Sequence, residues 1–201
     1  MIRSLSLALL LLAACSTAAE PAGDAGLPDS GTAPADAGIG TFGDALEIDC
    51  AAPVIPSGGF AFTVHPRDAD AGTPLLMKTV ACKCFGGVDG GLGYLEVAFA
   101  NASATLTVTG TRQSGRIEVG RYTSVTPADV EVRGRVSSPG QFLYEAAPRD
   151  KGSETLLLVE KSDALGLVGS FALFELRVLE PANVNQPVEV TPPIRAACKY
   201  K

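Results

Sequence analysis

Tryptophan is absent from the 201 residues, histidine occurs once and methionine twice. No apolar run reaches the roughly 20 residues that a membrane-spanning helix needs. Basic residues are in the minority, 16 Lys and Arg against 22 Asp and Glu, for a formal net charge of −6. Each shortage removes a class of function. Without Trp and with four Tyr (Tyr94, Tyr122, Tyr144, Tyr200), the chain has little from which to build the flat aromatic platform of a sugar-binding sandwich. A Ser-His-Asp set would have to use His65. The strings G-x-S-x-G, H-E-x-x-H and S-x-x-K are missing, and so is the Gly-Lys-Ser/Thr of a phosphate loop. No sequence motif calls for a cofactor. Five of the 22 acids and one of the 16 bases lie before residue 45, which leaves 17 and 15 in residues 45–201, a net of −2. A surface so nearly balanced has no positive field with which to gather phosphates, so nucleic acid is excluded as a general partner.

What is present begins at the N-terminus. Met1-Ile2-Arg3 is a short basic start, and Leu5–Ala14 is apolar throughout except for Ser6. Ten residues of helix rise about 15 Å, half of a ~30 Å hydrocarbon core, so the run is built as the apolar region of a secretory signal. Leu12-Ala13-Ala14-Cys15 follows directly. This apolar, small, small, Cys string resembles the lipobox of bacterial lipoproteins. The resemblance implies a signal peptide over residues 1–14, cleavage before Cys15, and acyl chains (palmitate or similar) on Cys15. One acyl chain binds a membrane reversibly, whereas two or three hold a protein there. Residue 16 is Ser, not the Asp that marks retention in the inner membrane of Gram-negative cells, so the resemblance favours the outer membrane.

Residues 15–44 form the expected linker. Only Leu27, Ile39 and Phe42 are large and apolar in it, and Pro21, Pro28 and Pro34 interrupt any helix. Such a stretch buries too little to offset its ordering entropy, and disorder is expected. As a flexible coil its length spans roughly 30 Å root-mean-square, enough to hold a domain off a bilayer. Gly38-Ile39-Gly40-Thr41-Phe42-Gly43 fits G-x-G-x-x-G, but that pattern binds a dinucleotide only between a strand and a helix. A Pro-containing tether precedes it here, and no helix clearly follows.

From residue 45 the period becomes two. Val130, Val132 and Val136 alternate with Glu131, Arg133 and Arg135, which predicts a strand with one wet face. Further strands are predicted at 60–64, 75–84, 93–99, 105–109, 116–123, 141–146, 154–161 and 188–191. Phe171–Val178, apolar enough for a helix, is read as a buried strand over 169–179, because Gly166 and Gly169 before it and Pro181 after it leave little room for a capped helix. Turn strings such as Val88-Asp89-Gly90-Gly91 and Ser138-Pro139-Gly140 separate them. About ten short strands without an amphipathic helix predict an all-β domain over residues 45–201, an antiparallel β-sandwich or barrel. Gly120-Arg121-Tyr122, a turn with Gly152, then Gly169-Ser170-Phe171 is an order similar to that of β-rich domains of bacterial lipoproteins. That likeness supports the architecture and brings no activity with it.

With Cys15 acylated, Cys50, Cys82, Cys84 and Cys198 remain, an even number in an exported chain. Residues two apart in a strand have β-carbons about 6–7 Å apart. A disulfide needs about 3.5–4.5 Å, so Cys82 and Cys84 do not pair with each other. The pairs are then 50–82 with 84–198, or 50–84 with 82–198. A zinc site would call for paired C-x2–4-C knuckles, which are missing.

Two loops draw attention as binding sites. His65, Asp68 and Asp70 lie within six residues and could hold a cation or act as a base and acid. Phe85–Gly93 holds five glycines in nine residues, with Asp89 at its centre, and so permits backbone angles that expose amides. Arg112, Arg116, Arg121, Arg133 and Arg135 are interleaved with Glu118, Asp129 and Glu131, a pattern of a salt-bridged wet face. The sequence thus points to a non-catalytic envelope lipoprotein, anchored through its lipid, whose β domain binds an envelope protein or another envelope partner. The alternative is a small-ligand or cation carrier built on His65, Asp68, Asp70 or Asp89. An enzyme with a site not visible in sequence ranks behind both.

Overall fold

A computed structural model describes residues 42, 44–66, 71–125, 129–147, 153–180 and 186–200. Cys15, the apolar run before it, nearly all of the linker, and Asp68 and Asp70 lie outside the described residues. Twelve strands follow one another: β1 (Leu46–Asp49), β2 (Phe60–Pro66), β3 (Thr73–Met77), β4 (Thr79–Gly86), β5 (Gly93–Ala100), β6 (Thr105–Arg112), β7 (Gly120–Thr123), β8 (Val130–Ser138), β9 (Phe142–Ala146), β10 (Glu154–Ser162), β11 (Gly166–Glu180) and β12 (Val188–Lys199). The fold is all-β as expected. Its sheet runs β3-β2-β12-β11-β9-β8-β6-β5-β4, with β10 on β11, β7 on β10 and β1 on β12. The strands nearly close into a barrel.

The near-closure follows from two strands that change partners. In β11, residues 166–176 pair with β12 while Arg177, Val178 and Glu180 pair with β9, so one strand turns the corner between the two walls. β12 divides its other edge, pairing antiparallel with β2 through residues 188–191 and parallel with β1 through residues 194–197. Pro192 and Pro193 stand in the gap, where neither neighbour asks for the N–H that proline lacks. The sequence reading stopped this strand at residue 191, and its continuation to Lys199 is one correction. The parallel strand β1 was not foreseen. The stretch read as one strand over 75–84 is two, because the chain passes at Lys78 from the edge of one wall to the edge of the other. The strand expected at 116–123 is shorter, β7 holding only its last four residues.

Alternation fills the interior. Phe60 and Phe62 on β2 meet Phe99 on β5 edge to face, with ring centroids 5.3 and 4.9 Å apart. Leu95, Leu106, Leu157 and Phe171 are fully buried around them. The core stays thin at two glycines. A β-carbon on Gly110 would lie 2.5 Å from Leu157 Cδ2, and one on Gly134 would lie 2.5 Å from Thr155 Oγ1. These inward positions of β6 and β8 are bare so that β10 can lie against them.

Both disulfides form, Cys50–Cys82 and Cys84–Cys198, with Cα–Cα distances of 5.4 and 6.4 Å. They realise the first of the two pairings left open. Cys82 and Cys84 share the inward side of β4, and each bridge carries that edge strand to the opposite wall, at the end of β1 and at β12. The outer face has its own staple. Arg195 Nε and Nη2 donate to the two oxygens of Glu160 at 2.9 and 2.8 Å, and Nη1 donates to Glu47 at 3.0 Å. Ser170 donates to Glu160 at 2.7 Å, so four strands share one network. Of the interleaved arginines, Arg112 pairs with Glu118 at 3.4 Å and Asp129 at 4.0 Å, and Arg133 pairs with Glu145, an acid outside that pattern, at 3.6 Å.

Candidate functional site

The β4–β5 hairpin is built from glycine because another backbone presses on it. Gly87 has φ +61°, and a β-carbon there would fall 2.3 Å from the carbonyl of Gly115. Gly115 N donates to Gly91 O at 3.0 Å, which ties the 113–119 segment to the hairpin tip. On its other side Tyr200 lays its ring over Gly86, where a β-carbon would come within 2.8 Å of the ring. The Cys84–Cys198 bridge sits two residues below. The glycine-rich loop is therefore a braced turn.

Its side chains point outward. Val88, in a short 3-10 turn at Val88–Gly90, is 76% exposed, Phe85 47% and Leu92 39%. Leu165, in the β10–β11 turn, is 78% exposed and accepts a hydrogen bond from Tyr200 N at 3.0 Å. Phe85 stacks on Tyr94, with ring centroids 6.0 Å apart. Four exposed apolar side chains thus lie at one end of the barrel, three on the braced hairpin and Leu165 on the β10–β11 turn that Tyr200 links to it. Single exposed apolar residues are ordinary on protein surfaces, but a cluster of them marks an interaction site.

A polar relay borders the collar. Tyr94 Oη donates to Glu96 Oε2 at 2.6 Å, and Lys83 Nζ lies 3.0 Å from Glu96 Oε1. Burial and the Glu96 carboxylate push the Tyr94 hydroxyl well above the usual phenol range. Burial also presses the Glu96 carboxyl upward, but the Tyr94 hydrogen bond and the Lys83 ammonium outweigh it, and the group titrates below the usual carboxylate range. Burial raises Tyr200 as well. These groups hold the rings in place and remain in one charge state through the neutral range.

Among the residues singled out for cation or acid–base chemistry, His65 and Asp89 do not meet, and Asp68 and Asp70 lie outside the described residues. His65 is on the outer face of β2, opposite Glu189 of β12. Its Nδ1 is buried without a hydrogen-bond partner among the described residues. Asp89 is exposed in the hairpin turn, beside the far end of β12. Ten residues of β12 separate Glu189 from Lys199, roughly 30 Å of strand, so His65 and Asp89 cannot share an ion. No cluster of three or more metal-ligating side chains occurs among the described residues. Reasoning from the sequence picked out the glycine hairpin but missed Leu165 and Tyr200, which only the return of β11 and β12 brings to it. No family model, curated protein or solved structure matches this chain.

Proposed function

We propose that this chain is an exported lipoprotein, held on an envelope membrane by acyl chains at Cys15, and that its β domain acts by binding a second envelope protein at the hairpin end. The lipobox-like string Leu12-Ala13-Ala14-Cys15 supports the anchor, and Ser16 favours the outer membrane. The observation that carries the binding reading is the exposed set of Phe85, Val88 and Leu92 on a turn braced by a disulfide and by glycine packing, with Leu165 on the β10–β11 turn at the same end. A preformed apolar surface loses little conformational entropy on association, which favours a tight complex over a small contact. The linker lets the domain reach a partner some tens of ångströms from the bilayer.

Site-specific photo-crosslinking in intact cells tests this reading. A crosslinker at residue 88 should yield one discrete adduct, absent when the crosslinker is at Thr107 on the outer face of β6. Leu165→Asp should diminish that adduct by tenfold or more while the domain stays folded. Equal labelling at the two positions, or an adduct indifferent to Leu165→Asp, would overturn it.

A further inference from the structure

The opposite end of the barrel holds an unfilled interior. Phe142 and Tyr144 of β9 sit on the inward register, opposite Ser138 and Val136 of β8, yet both remain part-exposed while Val136 is fully buried. Their rings lie parallel, with centroids 5.0 Å apart and an interplanar angle of 7°. Val64 from β2, Leu75 from β3, Val178 from β11 and Val188 from β12 face them across a cavity of about 180 Å³. Pro66, Thr73 and Gln186 complete the wall. No Asp, Glu, Lys, Arg or His is among these nine residues.

The wall decides the chemistry of the occupant. A charged group would lose its hydration here and gain no charged partner among the described lining residues, a cost of several kcal/mol or more. Apolar cavities of about 150 Å³ stay dry and take up benzene. This one is of similar size, open to solvent at the barrel mouth, and counts Thr73 and Tyr144 among its lining residues. We propose that the barrel mouth is a binding site for a small uncharged ligand, one six-membered ring or a short branched chain. The site lies at the end away from the hairpin collar and stands independently of the partner reading. It also uses neither His65 nor Asp89.

Methyl and aromatic NMR spectra of the purified, oxidised full chain, titrated with toluene, benzoate and benzylammonium, test the proposal. Toluene should shift the signals of Val64, Leu75, Val178 and Val188 saturably, below its solubility limit. Both charged analogues should bind at least tenfold more weakly. Val178→Phe, which fills the cavity, should weaken toluene by tenfold or more. If that variant does not fold, cross-relaxation between toluene protons and the same wild-type methyls makes the decision. The proposal fails if the shifts do not saturate, if they centre on Phe85 and Val88, if benzoate matches toluene, or if folded Val178→Phe binds as well as wild type.

Discussion

Replacing Cys84 and Cys198 together by alanine removes the bridge that closes the longer of two consecutive loops. The sequence separations are 114 for this pair and 32 for Cys50–Cys82. In the chain-entropy treatment, closing about 115 residues stabilises the fold by about 4.8 kcal/mol, and closing about 33 by about 3.7 kcal/mol. The loops do not overlap, so the two effects should add. Small domains have total stabilities of only about 5–15 kcal/mol, and either loss is therefore a large fraction of the whole. Equilibrium urea denaturation followed by far-ultraviolet circular dichroism is the assay, since no Trp is present to report. With a slope near 2 kcal/mol per M, each double variant should lower the midpoint by about 2 M. The 84–198 variant should fall about 0.5 M further than the 50–82 variant. Cys84 and Cys198 are buried, so the small cavities left by alanine act in the same direction. Unchanged midpoints, or the reverse ranking, would refute the view that these bridges act mainly on the unfolded chain.

Gly134→Val should destabilise by about 1–3 kcal/mol, read as a lower melting temperature, because its β-carbon has only the space now taken by Thr155 and Leu173. Phe99→Ala should cost about 3–5 kcal/mol in urea, since it empties the ring that Phe60 and Phe62 both contact. The Arg195 guanidinium, assisted by Ser170, holds the Glu160 carboxyl below the usual carboxylate range against a smaller upward push from burial. Its contribution is present above the unfolded pKa near 4.5 and is lost as pH falls through the lower folded value. Because both partners are part-exposed, Glu160→Gln should cost only about 0.5–1 kcal/mol at neutral pH. Melting curves of the variant and the wild type should converge toward pH 3, and a gap that persists there would count against the ion pair.

The alternation of Val130, Val132 and Val136 with charged neighbours marked β8, and Pro181 with Gly166 and Gly169 marked the long apolar stretch as strand. These local patterns carried the fold class. β1 was hidden because a four-residue parallel strand borrows its register from a partner some 150 residues away. β12 was cut short because two prolines look like a strand end until the gap between its two neighbours is known. The exclusion of a Cys82–Cys84 bond was a matter of strand geometry, whereas the choice between the two remaining pairings depended on which position along β4 lies beside Cys50 and which beside Cys198. The hairpin collar was half visible: five glycines announced an unusual turn, but nothing local showed that Leu165 and Tyr200 would join it. The cavity at Phe142 and Tyr144 left no trace in the sequence, because space between strands is a property of their arrangement.

A single non-reducing tryptic map of the protein isolated from the cells that make it tests the account most directly. Trypsin cuts after Lys83, which parts Cys82 from Cys84, and it has no site between residues 15 and 66. Mass spectrometry should find an acylated peptide 15–67 bridged to peptide 79–83, and peptide 84–112 bridged to peptide 196–199. An unacylated start, a peptide 15–67 joined to 84–112, or free thiols at these positions would contradict it.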